Sequence, residues 1–60
     1  MSALEIRIAI FRNGLTVKRA ARLAGMNPNR AGRILRGDYP ARPGELEALG
    51  KVVGAAAEMR

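Results

Sequence analysis

The 60-residue sequence contains no cysteine, no histidine and no tryptophan, and only one tyrosine and one phenylalanine. Without cysteine, disulfide bonds are excluded, and without cysteine and histidine the preferred ligands of zinc are missing. The same absences remove the commonest nucleophiles and general bases of enzymes. We therefore expect no catalytic residue, no metal site, no cofactor and no small-molecule substrate.

Long apolar runs are also absent, since none approaches the roughly 18 residues that a membrane-spanning helix needs. Glu5, Arg7 and Arg12 interrupt the N-terminal region, which therefore does not resemble a signal peptide. We expect a cytoplasmic protein without a membrane partner. A chain this short buries only about 60% of its unfolded surface, so one small domain over residues 1–60 is expected.

Charge is abundant and unevenly distributed. The net charge is +6, from eleven basic and five acidic residues. The segment from Arg12 to Arg42 has eight basic residues and one acid, or +7 (8 − 1), while the two flanks together sum to −1. A cationic centre between nearly neutral ends indicates a surface that binds a polyanion, although charge of this kind also serves solubility.

The N-terminal segment, residues 2–13, carries two competing apolar patterns. Ile6, Ile8 and Ile10 alternate with other residues, which is the period of a half-buried strand. The residues that recur at helical spacing, on one face, are Leu4, Ile8, Phe11 and Leu15. Periodicity alone therefore leaves helix and strand open for residues 5–11.

The ends of this segment favour a helix over about residues 3–13. Ser2 and Glu5 have the spacing of a capping box, and Asn13-Gly14 is a usual C-terminal stop.

Two apolar faces of this first helix then compete for the core. We expect Leu4, Ile8 and Phe11 to pack against the rest of the chain. Ile6 and Ile10 form a second pair, which faces a partner chain or also fits against the other helices.

Three further helices are predicted from their end signals. They span about residues 17–24, 28–36 and 44–57. Thr16 and Asn27 are suitable N-caps, and Pro28 suits the first helical position. Gly25 and Gly37 suit helix ends, where a left-handed backbone is favourable in glycine. The two middle helices, joined by a short turn, form a helix-turn-helix, whose second helix can enter a DNA major groove.

A set of residues also occurs at spacings typical of a known family. They are Leu15, Thr16, Ala21, Gly25, Ile34, Arg36, Gly37, Leu46, Leu49 and Gly54. This pattern, over about residues 4–54, resembles the lambda-repressor-like (Cro-type) helix-turn-helix family. The resemblance implies an all-α, compact lambda-repressor-like domain of four helices, possibly five. It also implies a homodimer that binds palindromic double-stranded DNA.

The resemblance implies which residues would contact DNA. The positions that touch base edges hold Pro28, Asn29, Arg30 and Arg33; because Pro28 has no side-chain hydrogen bond, we predict base reading by the other three. Val17 stands where the family often has a phosphate-binding glutamine. The residues expected near DNA phosphates are Thr16, Lys18, Arg19, Arg22, Asn27, Arg36, Tyr39 and Arg42.

The resemblance thus implies a sequence-specific transcriptional regulator of the repressor type, acting in the bacterial nucleoid or in a phage-infected cell. The alternative is a DNA-binding module of a transposition, packaging or toxin–antitoxin assembly, which would act mainly through protein contacts. The predicted homodimer surface is either Ile6 and Ile10, or the fourth helix with the tail that follows it.

Overall fold

The computed structural model describes residues 1–58, a part of the chain that contains four α-helices and no strand. The helices are α1 (Ala3–Arg12), α2 (Val17–Leu23), α3 (Pro28–Arg36) and α4 (Glu45–Glu58). The all-α, four-helix prediction is confirmed, and α1 is a helix rather than a strand. No fifth helix forms within the described residues, because α4 continues through Gly54 to Glu58. The last two residues of the predicted tail lie outside them.

Local hydrogen bonds determine where the first two helices begin. The Glu5 backbone N–H donates to Ser2 Oγ at 3.2 Å, and the Ser2 N–H donates to Glu5 Oε1 at 3.0 Å. Thr16 Oγ1 accepts the Arg19 backbone N–H at 3.1 Å. Each bond satisfies a backbone donor that has no partner inside its own helix. The predicted caps are therefore present.

The core lies where the four helices meet. Six buried residues form its central cluster: Ile6, Ile10, Ala20, Leu35, Leu49 and Val53. Leu15 and Met26 are partly buried and pack against this cluster. The short segments between the helices thus add apolar contacts, which matters in a domain with so few large core residues.

The prediction for the core face of α1 was wrong. Ile6 and Ile10 are 0% and 3% exposed, whereas Leu4, Ile8 and Phe11 are 61%, 45% and 85% exposed.

The small residues beside the isoleucines explain which face of α1 is buried. Ala3 and Ala9 are partly buried and pack against the same cluster as Ile6 and Ile10. Because alanine side chains are short, a helix face that contains them can approach its neighbours closely. The burial of Ile6 and Ile10 also contradicts their prediction as a homodimer surface, since they offer no accessible side chain to a partner.

Candidate nucleic-acid interface

A tight turn between α2 and α3 sets the position of α3. Gly25 adopts a left-handed backbone with φ +74°, which favours glycine. The Met26 N–H then donates to the Ala21 carbonyl at 2.8 Å, and the partly buried Met26 packs against the core. The turn is therefore held both by a backbone hydrogen bond and by an apolar contact.

The first turn of α3 is capped by Asn27. Its Oδ1 accepts the backbone N–H groups of Asn29 at 2.9 Å and Arg30 at 3.3 Å, and Pro28 occupies the first helical position. The side-chain amide of Asn27 also has N–H donors. Asn27 was predicted to lie near phosphate, and this geometry assigns its oxygen to the cap.

The inner and outer faces of the helix pair differ in composition. Ala20 and Ala21 of α2 are buried, as are Ala31, Ile34 and Leu35 of α3. Together α2 and α3 contain six basic residues and no acidic one. These residues are Lys18, Arg19, Arg22, Arg30, Arg33 and Arg36. We call this set the cationic face; its charge is concentrated on the two helices of the motif.

Arg33 and Tyr39 lie against each other at the outer side of α3. Arg33 Nη1 donates to Tyr39 Oη at 3.3 Å, and the guanidinium carbon lies 5.4 Å from the centre of the tyrosine ring. A cation over an aromatic ring is attracted by its electron-rich face. Tyr39, predicted as a phosphate contact, therefore also restricts the orientation of the predicted base reader Arg33.

Arg30 is engaged differently from Arg33. Its Nε donates to Glu45 Oε2 at 2.8 Å, and its Nη2 donates to Glu45 Oε1 at 2.9 Å. The Arg30 and Glu45 side chains are only 29% and 17% exposed to solvent. A two-pronged arginine–carboxylate contact is among the stronger and more directional side-chain pairs. It ties α3 to the first residue of α4.

The electrostatics of Glu45 reflect this contact. The hydrogen bonds from the Arg30 side chain and, secondly, from the Arg42 backbone N–H lower the pKa of Glu45 to about 2. The hydrogen bonds with the Glu45 carboxylate in turn raise the pKa of Arg30 above its ordinary value. Both groups therefore remain charged throughout the physiological pH range.

The other predicted phosphate contacts are solvent-accessible. Lys18, Arg19 and Arg22 are exposed on α2, and Arg42 is exposed before α4. Arg36 Nε lies 3.5 Å from Asp38 Oδ2, and the two side chains are 63% and 57% exposed. An ion pair this exposed contributes little, so Arg36 still presents its charge to a ligand. The structure thus places these cations on the protein surface.

Sequence reasoning missed the role of Glu45. The sequence separation of fifteen residues from Arg30 corresponds to no short-range pattern, and an acid in the first turn of a helix is common in itself because it interacts favourably with the helix dipole. Within residues 1–58, no group of three or more potential metal-ligating side chains is close enough to hold an ion. In the same range, every helix is too short or too polar to span a lipid bilayer.

Comparison with known proteins identifies one family. The sequence model of a helix-turn-helix domain family matches residues 5–60, which includes all of α2, the turn and α3. No curated protein and no solved structure matches the chain.

Proposed function

Because the chain belongs to the helix-turn-helix domain family, which indicates DNA binding, we propose that it is a sequence-specific transcriptional regulator of the Cro/repressor type. In this proposal α3 enters the major groove of double-stranded DNA, as the second helix of such motifs does. The observation that carries it is the cationic face: α2 and α3 have six basic residues, no acid and a fully apolar inner side.

Asn29 and Arg33 are the proposed base readers. Asn29 is exposed in the first turn of α3, and Arg33 is exposed one turn later. Asparagine matches the hydrogen-bonding edge of adenine, and arginine matches that of guanine. Arg33 is also oriented by Tyr39, so less side-chain entropy is lost when it binds a base.

Arg30 was included among the predicted base readers, and its contact with Glu45 supports another role. To reach a base, the guanidinium would have to leave two hydrogen bonds with a carboxylate. We therefore assign Arg30 to fixing the angle of α3 relative to α4. That role still affects DNA binding, because the angle determines which residues of α3 meet the groove.

The remaining cations and polar groups are proposed to position the protein on the DNA backbone. Contacts with phosphates fix register and orientation but carry no sequence information. The proposed residues are Thr16, Lys18, Arg19, Arg22, Asn27, Arg36, Tyr39 and Arg42. Neutralising about six phosphates predicts a log–log salt dependence with a slope near −5.

We also propose a homodimer, acting in the bacterial nucleoid or a phage-infected cell. A two-fold dimer would bind half-sites about 34 Å apart along the DNA, or a multiple of that. With Ile6 and Ile10 buried, the remaining predicted surface is α4, where Gly54, Ala55 and Ala57 are exposed. Small residues there allow a second helix to approach closely.

The decisive experiment is selection of bound sequences from a random pool of duplex DNA at about 0.15 M salt, where weak charge-only binding is screened. A palindromic consensus with half-sites one helical turn apart would support the regulator. Enrichment without a consensus would reject sequence-specific reading.

The second candidate is a DNA-binding module of a transposition, packaging or toxin–antitoxin assembly. It is favoured by the exposure of Leu4, Ile8 and Phe11, which gives α1 an apolar outer surface. Such a module would bind DNA of any sequence with similar affinity, and it would gain sequence preference only within its assembly. The same selection experiment therefore separates the two candidates.

A further inference from the structure

The carboxylate of Glu45 holds the loop between α3 and α4 as well as α3 itself. We call residues 37–44 the α3–α4 loop. Glu45 Oε2 accepts the Arg30 Nε donor, while Oε1 accepts both Arg30 Nη2 and the backbone N–H of Arg42 in the loop. The Glu45 N–H in turn donates to the Arg42 carbonyl at 3.1 Å. One residue therefore joins α3, the loop and the start of α4.

The backbone hydrogen bonds of the α3–α4 loop are concentrated at its two ends. At the first end, two successive loop N–H groups donate to carbonyls in the last turn of α3. At the second end, Arg42 and Glu45 hold each other. Within residues 1–58, the backbone of residues 39–41 makes no hydrogen bond. The position of Tyr39 in this middle section therefore depends on how the ends are held.

Prolines stiffen the path between Tyr39 and Arg42. Pro40 follows Tyr39, and Pro43 follows Arg42. The ring of a proline fixes its own φ at about −65°, and the residue before a proline is restricted to extended conformations. Among residues 39–43, only Ala41 is free of both restrictions. Because the path is stiff, a contact that fixes Arg42 also restricts Tyr39.

The α3–α4 loop lies beside the ion pair and reaches the outer side of α3. A cavity of about 540 Å³ is bordered by the Arg30 side chain and by loop residues Tyr39, Pro40, Ala41, Arg42 and Pro43. Tyr39 accepts the hydrogen bond from Arg33 Nη1, and its ring lies against the Arg33 guanidinium. The contacts thus form a chain from Glu45 through Arg42 and Tyr39 to Arg33.

We propose that Glu45 is a positioning residue for base reading by Arg33. It acts by holding the α3–α4 loop through the Arg42 N–H, so that Tyr39 stays against Arg33. Arg30 does not lie on this route, because the contact between Glu45 and Arg42 does not involve its side chain. The base-reading role rests on the proposed function, whereas the anchoring of the loop does not depend on DNA.

The first test follows Tyr39 in the full chain without DNA. Tyr39 is the only tyrosine and tryptophan is absent, so the intrinsic fluorescence reports on this loop. Glu45→Ala removes the anchor, and the fluorescence anisotropy of Tyr39 should fall because the ring moves more freely. The matched control is Glu47→Ala, in the same first turn of α4, where Glu47 is 73% exposed and lies 3.9 Å from Lys51. It should keep the wild-type anisotropy.

The second test measures the preference at the base pair that Arg33 reads in the selected DNA site. Glu45→Ala should lower this preference about fivefold, because a mobile Arg33 must be ordered to bind the right base but not a wrong one. Arg30→Ala and Glu47→Ala should leave it unchanged. Since Arg30→Ala and Glu45→Ala both remove the ion pair, a role of Glu45 in stability alone would not separate them.

Pro40→Gly tests the loop without altering Glu45, including the case in which Glu45→Ala does not fold. Pro40 is exposed, and glycine at this position restores backbone freedom between Tyr39 and Arg42. The contacts of Glu45 with Arg30 and Arg42 remain possible. Both the anisotropy of Tyr39 and the preference at the Arg33 base pair should fall, as in Glu45→Ala.

Three results would overturn the proposal. Unchanged anisotropy in folded Glu45→Ala, or in Pro40→Gly, would show that the anchor does not restrain Tyr39. An equal loss of base preference in Arg30→Ala would assign the effect to the angle of α3, and an equal loss in Glu47→Ala would assign it to the charge of α4. If no consensus sequence is selected, the proposed function and the base-reading role fail together, while the anisotropy still decides whether Glu45 anchors the loop.

Discussion

Helices α1 and α3 have nearly the same length, ten and nine residues, and opposite outer surfaces. Each buries isoleucine on its inner face: Ile6 and Ile10 in α1, Ile34 in α3. Outside, α3 presents arginine and asparagine, whereas α1 presents Leu4, Ile8 and Phe11. The inner faces thus make the two helices equivalent as parts of one core. Their outer faces differ in chemistry, because that of α3 is cationic and polar and that of α1 is apolar.

The largest expected effect comes from truncating a side chain on the inner face of α1, compared with truncating one on its outer face. Ile6→Ala removes a fully buried side chain and should destabilise the protein by about 2–5 kcal/mol. Phe11→Ala removes an exposed one and should change stability by no more than about 0.5 kcal/mol. Urea unfolding followed by circular dichroism measures both. Similar losses for the two variants would contradict the assignment of the buried face.

The next effect concerns the outer face of α3. Arg33→Ala should remove about 1–3 kcal/mol of discrimination at one base pair, whereas Lys18→Ala should weaken binding to all sequences alike. Competition binding against every single-base variant of the selected site measures the difference.

Arg30→Ala serves as the comparison within α3. It should lower stability and affinity without relaxing the preference at any single base pair. A relaxed preference equal to that of Arg33→Ala would return Arg30 to the base readers.

A smaller effect is expected from pH at the junction of α3 and α4. The pKa of Glu45 is lowered to about 2 in the folded protein, below the value of about 4.3 that glutamate has in an unfolded chain. Its contribution to stability is therefore fully present above about pH 4.3 and is lost as pH falls towards 2. The thermal unfolding temperatures of wild type and Glu45→Gln should converge as pH falls over this range. If their plots against pH stay parallel, the ion pair is not the cause of the pH-dependent stability.

The smallest effect tests how Tyr39 positions Arg33. Tyr39→Phe removes the hydrogen bond that Tyr39 Oη accepts from Arg33 Nη1 and keeps the aromatic ring. The free energy of DNA binding should therefore weaken by about 0.5 kcal/mol. Tyr39→Ala removes both and should cost more. If both substitutions leave base preference and affinity intact, Tyr39 does not orient Arg33.

Features that depend on neighbouring residues were predictable from the sequence. The caps at Ser2, Thr16 and Asn27 and the turn at Gly25 were recognisable because each depends on residues within about one helical turn. These signals were sufficient for the four helices and for the helix-turn-helix.

Features that depend on how helices dock were not predictable in the same way. The stripe of Leu4, Ile8 and Phe11 is at least as apolar as the pair Ile6 and Ile10, so hydrophobicity does not decide which is buried. The larger side chains of Leu4, Ile8 and Phe11 favour burial of their face. The face with Ile6 and Ile10 is buried instead, because the short Ala9 beside them lets α1 approach its neighbours closely.

The candidate site shows the same limit. Arg30 and Arg33 are equally basic residues of one helix, and their difference arises from Glu45, which folding brings next to Arg30. The assignment of base readers and phosphate contacts rests on the family resemblance and stays a prediction until DNA binding is measured.

Under the proposed function, the ion pair between Arg30 and Glu45 would also limit the length of the DNA sequence that one domain recognises. With Asn29 and Arg33 as the base readers, each domain specifies about two base pairs, and a symmetric pair of domains specifies about four. A four-base-pair pattern recurs by chance about once in 256 base pairs, which gives thousands of copies in a genome of about 10⁶ base pairs or more. Selecting one site among them requires information from DNA shape or from a second bound protein.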